Sequence, residues 1–133
     1  MWQWRLMRIH GGSMAPTLRD GELVLIDGRA YTQRRPRRGE IVAARPRASG
    51  CRALVKRVVG LPRERVAVDG RRWQLGEGEF FLLGDATEFS VDSRRFGPVS
   101  REELVGPVRA RLWPWQMLAK ENTGGQDESI EVS

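Results

Sequence analysis

The stretch "RVAVDGRRWQL" (residues 65–75) indicates how this chain folds. It contains two short runs, "RVAV" and "RRWQL", and the dipeptide Asp69-Gly70 lies between them. Asp-Gly between two such runs is the strongest short-range sign of a β-hairpin, because both positions of its two-residue turn need a positive φ. The segment therefore predicts two antiparallel strands joined by a tight turn.

Segments with the length and composition of short strands lie on both sides of this hairpin. Gly, Pro and Asp residues separate them, and none has the span of a convincing helix. They are residues 3–9, 22–27, 40–45, 52–59, 79–85 and 104–113. "SREEL" (100–104) indicates a helical turn, with Ser100 placed to cap it and Glu103 three residues later, and "TLRDG" (17–21) is a second candidate for a short helical turn. We expect a mainly β protein, built as an antiparallel sheet or a barrel-like domain.

The length and composition predict a single globular domain. The chain has 133 residues, of which 40% are hydrophobic, and a domain of this size can bury a substantial core. We expect one domain over residues 1–116 and a disordered acidic tail over residues 117–133, because "ENTGGQDESIEVS" is polar and poor in apolar residues. A single cysteine, Cys51, excludes an intrachain disulfide and a cysteine-based zinc site.

No segment predicts insertion into a membrane. No apolar run approaches the roughly 18 residues that a membrane-spanning helix needs. The first ten residues, "MWQWRLMRIH", alternate between apolar and polar residues and lack the continuous apolar core of a signal peptide. We therefore expect a soluble, cytoplasmic protein.

The lysine content is unusual for a basic chain. The formal net charge is +6, yet of the 23 basic residues only Lys56 and Lys120 are lysines. Arginine keeps its proton near neutral pH, whereas a desolvated lysine can lose it. In a strand, Leu54 and Val58 share a face with Lys56, and Arg57 points to the other side. Lys56 is then either a buried amine that can act as a base, or a lysine that extends its amine into solvent.

"HGGSMAPTL" (residues 10–18) is typical of a sharply bent loop that exposes a serine. Two glycines precede Ser13, and Pro16, three residues later, has a fixed φ. As a base for Ser13, His10 is poorly placed, since it lies within the same bend. Cys51 has no neighbours that would lower its thiol pKa and is expected to be a small residue at a strand end. Lys56 is the better partner for a nucleophilic serine.

Four motifs together resemble a known family. "GSMAPTL", "RRGEIV", "LVKRVVGLP" and "LLGDATEFSVDSRRFGPV" follow the order of the conserved boxes of the type I signal peptidases, which are serine–lysine endopeptidases with a β-rich fold. The resemblance covers about residues 9–112. "DSRRFGPV" and the closing "RARLWPW" (109–115) also resemble the small maturation proteases of nickel-type superoxide dismutase. The resemblance implies a minimal signal peptidase catalytic domain without a membrane anchor or a large insertion.

The resemblance implies roles for individual residues. Ser13 matches the nucleophile and its backbone N–H an oxyanion donor, Lys56 matches the general base, and Ser90 matches the serine whose hydroxyl bonds and orients the lysine. Gly11 stands where some family members carry a second oxyanion donor, a hydroxyl.

Three further residues match those that support the site. Asp92 and Arg94 match an acid and an arginine that form a salt bridge, and Asp85 matches the aspartate of a Gly-Asp pair. Ala86 and Thr87 replace the usual Asn-Arg that follows this pair, so one wall of the site differs from the family pattern.

The activity implied is removal of an N-terminal propeptide or signal-type peptide, with small residues at the first and third positions before the cut. The substrate would be a precursor protein, and the one favoured is nickel-type superoxide dismutase. No metal or other cofactor and no nucleic acid are expected, and weak contact of the N-terminus with a membrane is left open.

Three other functions compete with this interpretation. One is general signal peptidase processing of exported proteins at a membrane surface. Another is a non-catalytic basic module, in which "RRPRR" (34–38) contacts phosphates and tryptophans stack on bases. A repressor-type self-cleaving peptidase needs a DNA-binding unit upstream of the serine, and only 12 residues precede Ser13.

Overall fold

The computed structural model describes residues 3–86, 90–113, 115–118 and 130–132. These residues form short strands, one helical turn (α1, Ser93–Phe96) and 3-10 turns at Ala30–Thr32, Arg47–Ser49 and Arg101–Glu103. The strands are β1 (Trp4–Arg8), β2 (Leu23–Asp27), β3 (Ile41–Ala44), β4 (Leu54–Gly60), β5 (Arg65–Val68), β6 (Arg71–Gln74), β7 (Glu79–Leu83), β8 (Val99–Ser100), β9 (Leu104–Trp113), β10 (Trp115–Met117) and β11 (Ile130–Val132). The prediction of a mainly β, antiparallel fold is confirmed.

The strands form one large curled sheet and one small sheet. The large sheet has the order β1-β2-β9-β3-β4-β7-β8, with β10 paired to β9, and the small sheet has the order β11-β5-β6. The first half of β9 pairs with β3 and the second half with β2. At this crossing a Cβ on Gly106 would lie 2.0 Å from the carbonyl oxygen of Asp27, so only glycine allows the close approach.

Two local predictions are confirmed in detail. Asp69 and Gly70 join β5 to β6 and have φ values of 52° and 78°, as a two-residue hairpin turn with a positive φ at both positions requires. Ser100 and Glu103 form a reciprocal capping box at the 3-10 turn Arg101–Glu103, which bonds the amides that the turn leaves free.

Strand β3 lies at the centre of the core and is buried on both faces. Ile41 and Ala43 belong to one hydrophobic cluster, and Val42 and Ala44 belong to another on the opposite face. This accounts for its continuous apolar sequence, since a strand covered on both sides has no polar face to alternate with. A third cluster joins the small sheet to β7 through Phe81 and the residues around it.

The predicted disordered tail falls largely outside the described residues. Within it, Met117 ends β10, and Ile130–Val132 form β11, which pairs antiparallel with β5. Leu118 is also placed, since its amide donates to the Arg109 carbonyl at 3.2 Å. For residues 119–129 and 133 disorder stays a prediction, as does the single domain over residues 1–116. No helix in the described part of the chain is long and apolar enough to span a bilayer.

Candidate active site

Ser13 lies in a loop that connects β1 to β2 and is anchored at both ends. At its base the Gly21 amide donates a hydrogen bond to the Ile9 carbonyl at 2.8 Å. Beyond Ser13, the side chains of Met14 and Leu18 are fully buried in the first hydrophobic cluster. Burial of these two side chains holds the bend in place and leaves Ser13 half-buried at its tip.

Gly84, which directly follows β7, brings two serines together. A Cβ at this position would lie 2.3 Å from Ser90 Oγ and 2.6 Å from the Ser13 carbonyl oxygen, closer than real Cβ contacts come. That carbonyl accepts a hydrogen bond from the Ala86 amide at 2.9 Å. The segment after β7 therefore lies directly against the Ser13 loop, and it can do so because residue 84 has no side chain.

Lys56 reaches the same place from the neighbouring strand. Strands β4 and β7 are antiparallel, and their register pairs Arg57 with Leu83. The next residues along the two segments, Lys56 and Gly84, therefore face each other. Gly84 lies beside both serines, so this register places Lys56 in the strand next to the residue at which Ser13 and Ser90 meet.

Burial of Lys56 changes its acid–base behaviour. The residue is 3% exposed. Desolvation lowers the pKa of its amine, the nearby Asp92 carboxylate raises that pKa, and the Arg94 guanidinium lowers it, with a net downward shift. The structure therefore favours the buried amine over a lysine that extends into solvent.

Asp92 and Arg94 form an ion pair next to Gly84. Arg94 Nε lies 2.9 Å from Asp92 Oδ1, and Arg94 Nη2 lies 3.0 Å from Asp92 Oδ2. The Asp92 side chain is fully buried, and Oδ2 also accepts the Gly84 amide at 3.1 Å. Arg94 additionally pairs with Asp69 of the β5–β6 turn at 3.0 Å. The pair thus holds the backbone of the residue on which the site converges.

Asp85 binds a different arginine, which sequence reasoning did not assign to the site. Arg57 donates to Asp85 Oδ1 from Nε at 2.9 Å and to Oδ2 from Nη2 at 2.8 Å. Thr17 Oγ1 donates to the same Oδ2 at 2.7 Å. This network joins the Ser13 loop to the strand that carries Lys56. A single sequence gives no signal for it beyond the positions of Thr17 in the serine motif and Arg57 beside the lysine.

The hydroxyl of Ser90 is buried but has no hydrogen-bond partner among the described residues. The expected bond to the Lys56 amine is therefore not formed in this structure, although both residues lie at Gly84. His10 and Cys51 are exposed, and Cys51 lies in a turn with φ 60°. Thr87 lies outside the described residues. Within the described part of the chain, no three His, Cys, Asp or Glu side chains cluster as metal ligands would.

Comparison with known proteins identifies the family. The family model described as "Signal peptidase, peptidase S26" matches residues 1–75 and 69–113. The chain belongs to this family. Its members include a signal peptidase I of Bacillus caldolyticus, which is 30% identical over 84% of this chain and 80% of its own length. A mitochondrial ATP-independent inner membrane protease subunit 1b of Arabidopsis thaliana is 33% identical over 80% of this chain and 69% of its own length.

Other relatives agree with this assignment. A probable signal peptidase I-2 of Synechocystis is 29% identical over 94% of this chain and 70% of its own length. Membership of the family makes the protein a serine endopeptidase that acts on protein substrates. The resemblance inferred from the four sequence motifs is therefore confirmed.

Proposed function

We propose that this S26 peptidase cleaves precursor proteins with Ser13 as nucleophile and Lys56 as general base. The observation that carries the proposal is the burial of Lys56 directly opposite Gly84, the residue that touches both Ser13 and Ser90. A desolvated amine with a lowered pKa can accept the proton of a serine hydroxyl, which an exposed lysine cannot do near neutral pH.

The reaction has two steps. In the first, the Lys56 amine takes the proton of Ser13 Oγ, which attacks the scissile carbonyl carbon, and the protonated amine then donates to the leaving nitrogen. In the second, Lys56 removes a proton from water, the resulting hydroxide attacks the acyl carbon, and the protonated amine returns the proton to Ser13 Oγ as its bond to the acyl carbon breaks. The Ser13 backbone N–H stabilises the negative charge on the carbonyl oxygen in both steps. The buried Ser90 hydroxyl has no partner among the described residues and is therefore available to bond the Lys56 amine during the reaction, and the Asp92–Arg94 and Asp85–Arg57 pairs support the backbone around it.

We further propose that the substrate is the precursor of a nickel-type superoxide dismutase and that processing takes place in the cytoplasm. "DSRRFGPV" and "RARLWPW" support this narrower assignment, since they resemble the maturation proteases of that enzyme. Removal of a short propeptide would free the N-terminal histidine that binds nickel in the substrate. The nickel belongs to the substrate and takes no part in the cleavage.

Cleavage of this precursor, followed by intact mass of the products, tests the proposal. The wild-type protein is compared with Ser13→Ala and with Lys56→Arg, which keeps a positive charge but removes a usable base. We expect only the wild type to remove the propeptide. If it leaves this precursor intact but cuts a signal peptide ending in Ala-x-Ala in a Lys56-dependent way, the dyad stands and the substrate assignment fails.

General processing at a membrane surface is a second candidate, favoured by an exposed apolar face. Leu6 is 63% exposed and Trp4 44% exposed on β1, and Trp113 is 70% exposed on β9. Tryptophans and aliphatic side chains on one face can insert into the boundary of a lipid layer. Flotation with anionic liposomes tests this candidate. Binding that is lost in a Trp4→Ser, Leu6→Ser variant supports it, and failure to float rejects it.

The basic binding module loses support from the pairing of its arginines. Arg34 binds Glu40, and Arg38 binds Glu64. Two of the four arginines in "RRPRR" therefore hold the loop to the protein.

A further inference from the structure

Asp20 is bonded to the backbone of the loop that presents the nucleophile. Its Oδ1 accepts a hydrogen bond from the Gly11 amide at 2.7 Å. Asp20 lies outside the four motifs that resemble the signal peptidases, and it takes no part in the networks around Asp85 and Asp92. Its contact is nonetheless made two residues before Ser13.

The backbone amides around Ser13 divide into two groups. The Gly11 N–H donates a hydrogen bond to Asp20, and the Ala15 N–H donates one to the Gly12 carbonyl at 3.1 Å. The N–H groups of Gly12 and Ser13 donate no hydrogen bond to an acceptor in the described part of the chain. Two consecutive amides next to the nucleophilic oxygen are therefore available for a substrate, whereas the Gly11 amide is not.

The two bonds hold the chain on either side of these amides. Gly11 has a φ of +84°, in the left-handed region that favours glycine. The bond to Asp20 fixes the peptide group immediately before Gly11, and the Gly12–Ala15 turn fixes the residues after it. The directions of the Gly12 and Ser13 amides are thus set by contacts made before a substrate binds, which is what stabilisation of a transition state requires.

We propose that the Gly12 N–H is the second oxyanion donor beside the Ser13 N–H, and that Asp20 is a positioning residue that orients it. This inference rests on the proposed role of Ser13. When Ser13 Oγ bonds to the carbonyl carbon, the π electron pair of the carbonyl moves to its oxygen, and the two N–H groups bind that oxygen. Asp20 itself gains or loses no proton in the step.

The first test compares Asp20→Ala, which removes the acceptor, with Asp20→Asn, which keeps an acceptor oxygen. With a cleaved substrate peptide, we expect Asp20→Ala to lower kcat by about ten- to a hundred-fold and to change KM by less than about two-fold, since loss of one oxyanion donor costs up to ~10²–10³ in kcat. Asp20→Asn should restore most of the rate. Glu77→Ala, at another exposed acid, is the control and should behave as wild type.

A transition-state analogue gives a readout that a purely structural role would not move. A peptide aldehyde of the same sequence forms a hemiacetal with Ser13, and its oxygen occupies the oxyanion position. We expect its Ki to rise in Asp20→Ala by the same factor as kcat falls. Equal changes in KM and Ki, or an unchanged kcat, would overturn the assignment of Asp20. Wild-type cleavage rates in Ser13→Ala or Lys56→Arg would instead overturn the proposed function, and this inference with it.

The second test removes the Gly12 N–H without changing a side chain. Cys51 follows Gly50, so a synthetic thioester of residues 1–50 can be ligated to residues 51–133 with the sequence restored. Glycolic acid in place of Gly12 exchanges its N–H for an ester oxygen. The ligated all-amide protein is the control. We expect the ester protein to lose about ten- to a hundred-fold in kcat, and a rate equal to that of the control would refute Gly12 as a donor.

Discussion

Arg57 holds Asp85 through two hydrogen bonds, from Nε to Oδ1 at 2.9 Å and from Nη2 to Oδ2 at 2.8 Å. Arg57 directly follows Lys56 in β4, and the same carboxylate accepts Thr17 Oγ1 at 2.7 Å. Thr17 lies four residues after Ser13. One carboxylate therefore fixes the loop that carries the proposed nucleophile, Ser13, relative to the strand that carries the proposed base, Lys56.

Removal of this carboxylate should destabilise the protein. The Arg57 side chain is only 7% exposed, so Asp85→Ala leaves a buried guanidinium without its counter-charge. Breaking a buried pair in this way costs about 3–5 kcal/mol in the free energy of unfolding. Urea denaturation measures the change. Thr17→Val, which removes one hydrogen bond but keeps the ion pair, should cost only about 1 kcal/mol, and an equal loss in both variants would contradict the account.

A methyl group at residue 84 should inactivate the enzyme. In Gly84→Ala the new Cβ would lie 2.3 Å from Ser90 Oγ and 2.6 Å from the Ser13 carbonyl, so both segments must shift. Since a displacement of about 1 Å can cost ~10²-fold in rate, we expect at least that loss in kcat/KM. Gly78→Ala is the matched control, because a Cβ there meets nothing within 4 Å. Normal activity in Gly84→Ala would mean that the serines do not need this close approach.

The pH dependence of activity should respond to Arg94. Its positive charge lowers the pKa of the Lys56 amine. In Arg94→Met that influence is lost while the Asp92 carboxylate still favours the ammonium, so the pKa of Lys56 rises. Because the proposed base is the neutral amine, the acid limb of the kcat/KM profile should move to higher pH. Arg95→Met, at the exposed neighbour, is the control, and a shift to lower pH in Arg94→Met would contradict the proposed role of Lys56.

Lys56 should destabilise the folded protein, although the proposed reaction requires it. The pKa of its amine is lower in the folded protein than in the unfolded chain, so the unfolded chain binds the extra proton. At pH values below the pKa of Lys56 in the folded protein, the destabilisation is fully present. It disappears as the pH rises towards the ordinary pKa of a lysine side chain. Lys56→Met should therefore be inactive but more stable, by about 1 kcal/mol near neutral pH. Thermal unfolding measures this gain, which should shrink at higher pH, and a loss of stability in Lys56→Met would contradict it.

The parts of the fold that the sequence predicted depend on local interactions. Asp69-Gly70 predicts the hairpin because its turn needs two positive φ values, and Ser100 with Glu103 predicts the capped turn because both partners lie within four residues. The sequence neighbours of Lys56 do not decide whether it is buried, since a lysine between two aliphatic residues can still extend into solvent. Its burial is settled by the packing of β4 between β3 and β7.

The contacts that assemble the site are formed between distant segments. Arg57 meets Asp85 across 28 positions and Thr17 meets Asp85 across 68, and no local pattern specifies either pairing. Asp20 lies nine residues from Gly11, but its bond depends on how the loop closes between β1 and β2. Strand order has the same origin, because β9 reaches both β2 and β3 only in the folded sheet. The sequence therefore predicts the chemically reactive residues better than the contacts that hold them in place.

The claim that Ser13 is acylated with Lys56 as its base is tested most directly by trapping the acyl-enzyme. Wild type, Ser13→Ala and Lys56→Arg are mixed with excess substrate peptide, quenched in acid within one turnover and digested with trypsin, which should release residues 9–19 as one peptide. We predict that this peptide carries the acyl group at Ser13 in the wild type and that neither variant forms an adduct. An acyl group on another residue, or an adduct that forms as fast in Lys56→Arg as in the wild type, would contradict it.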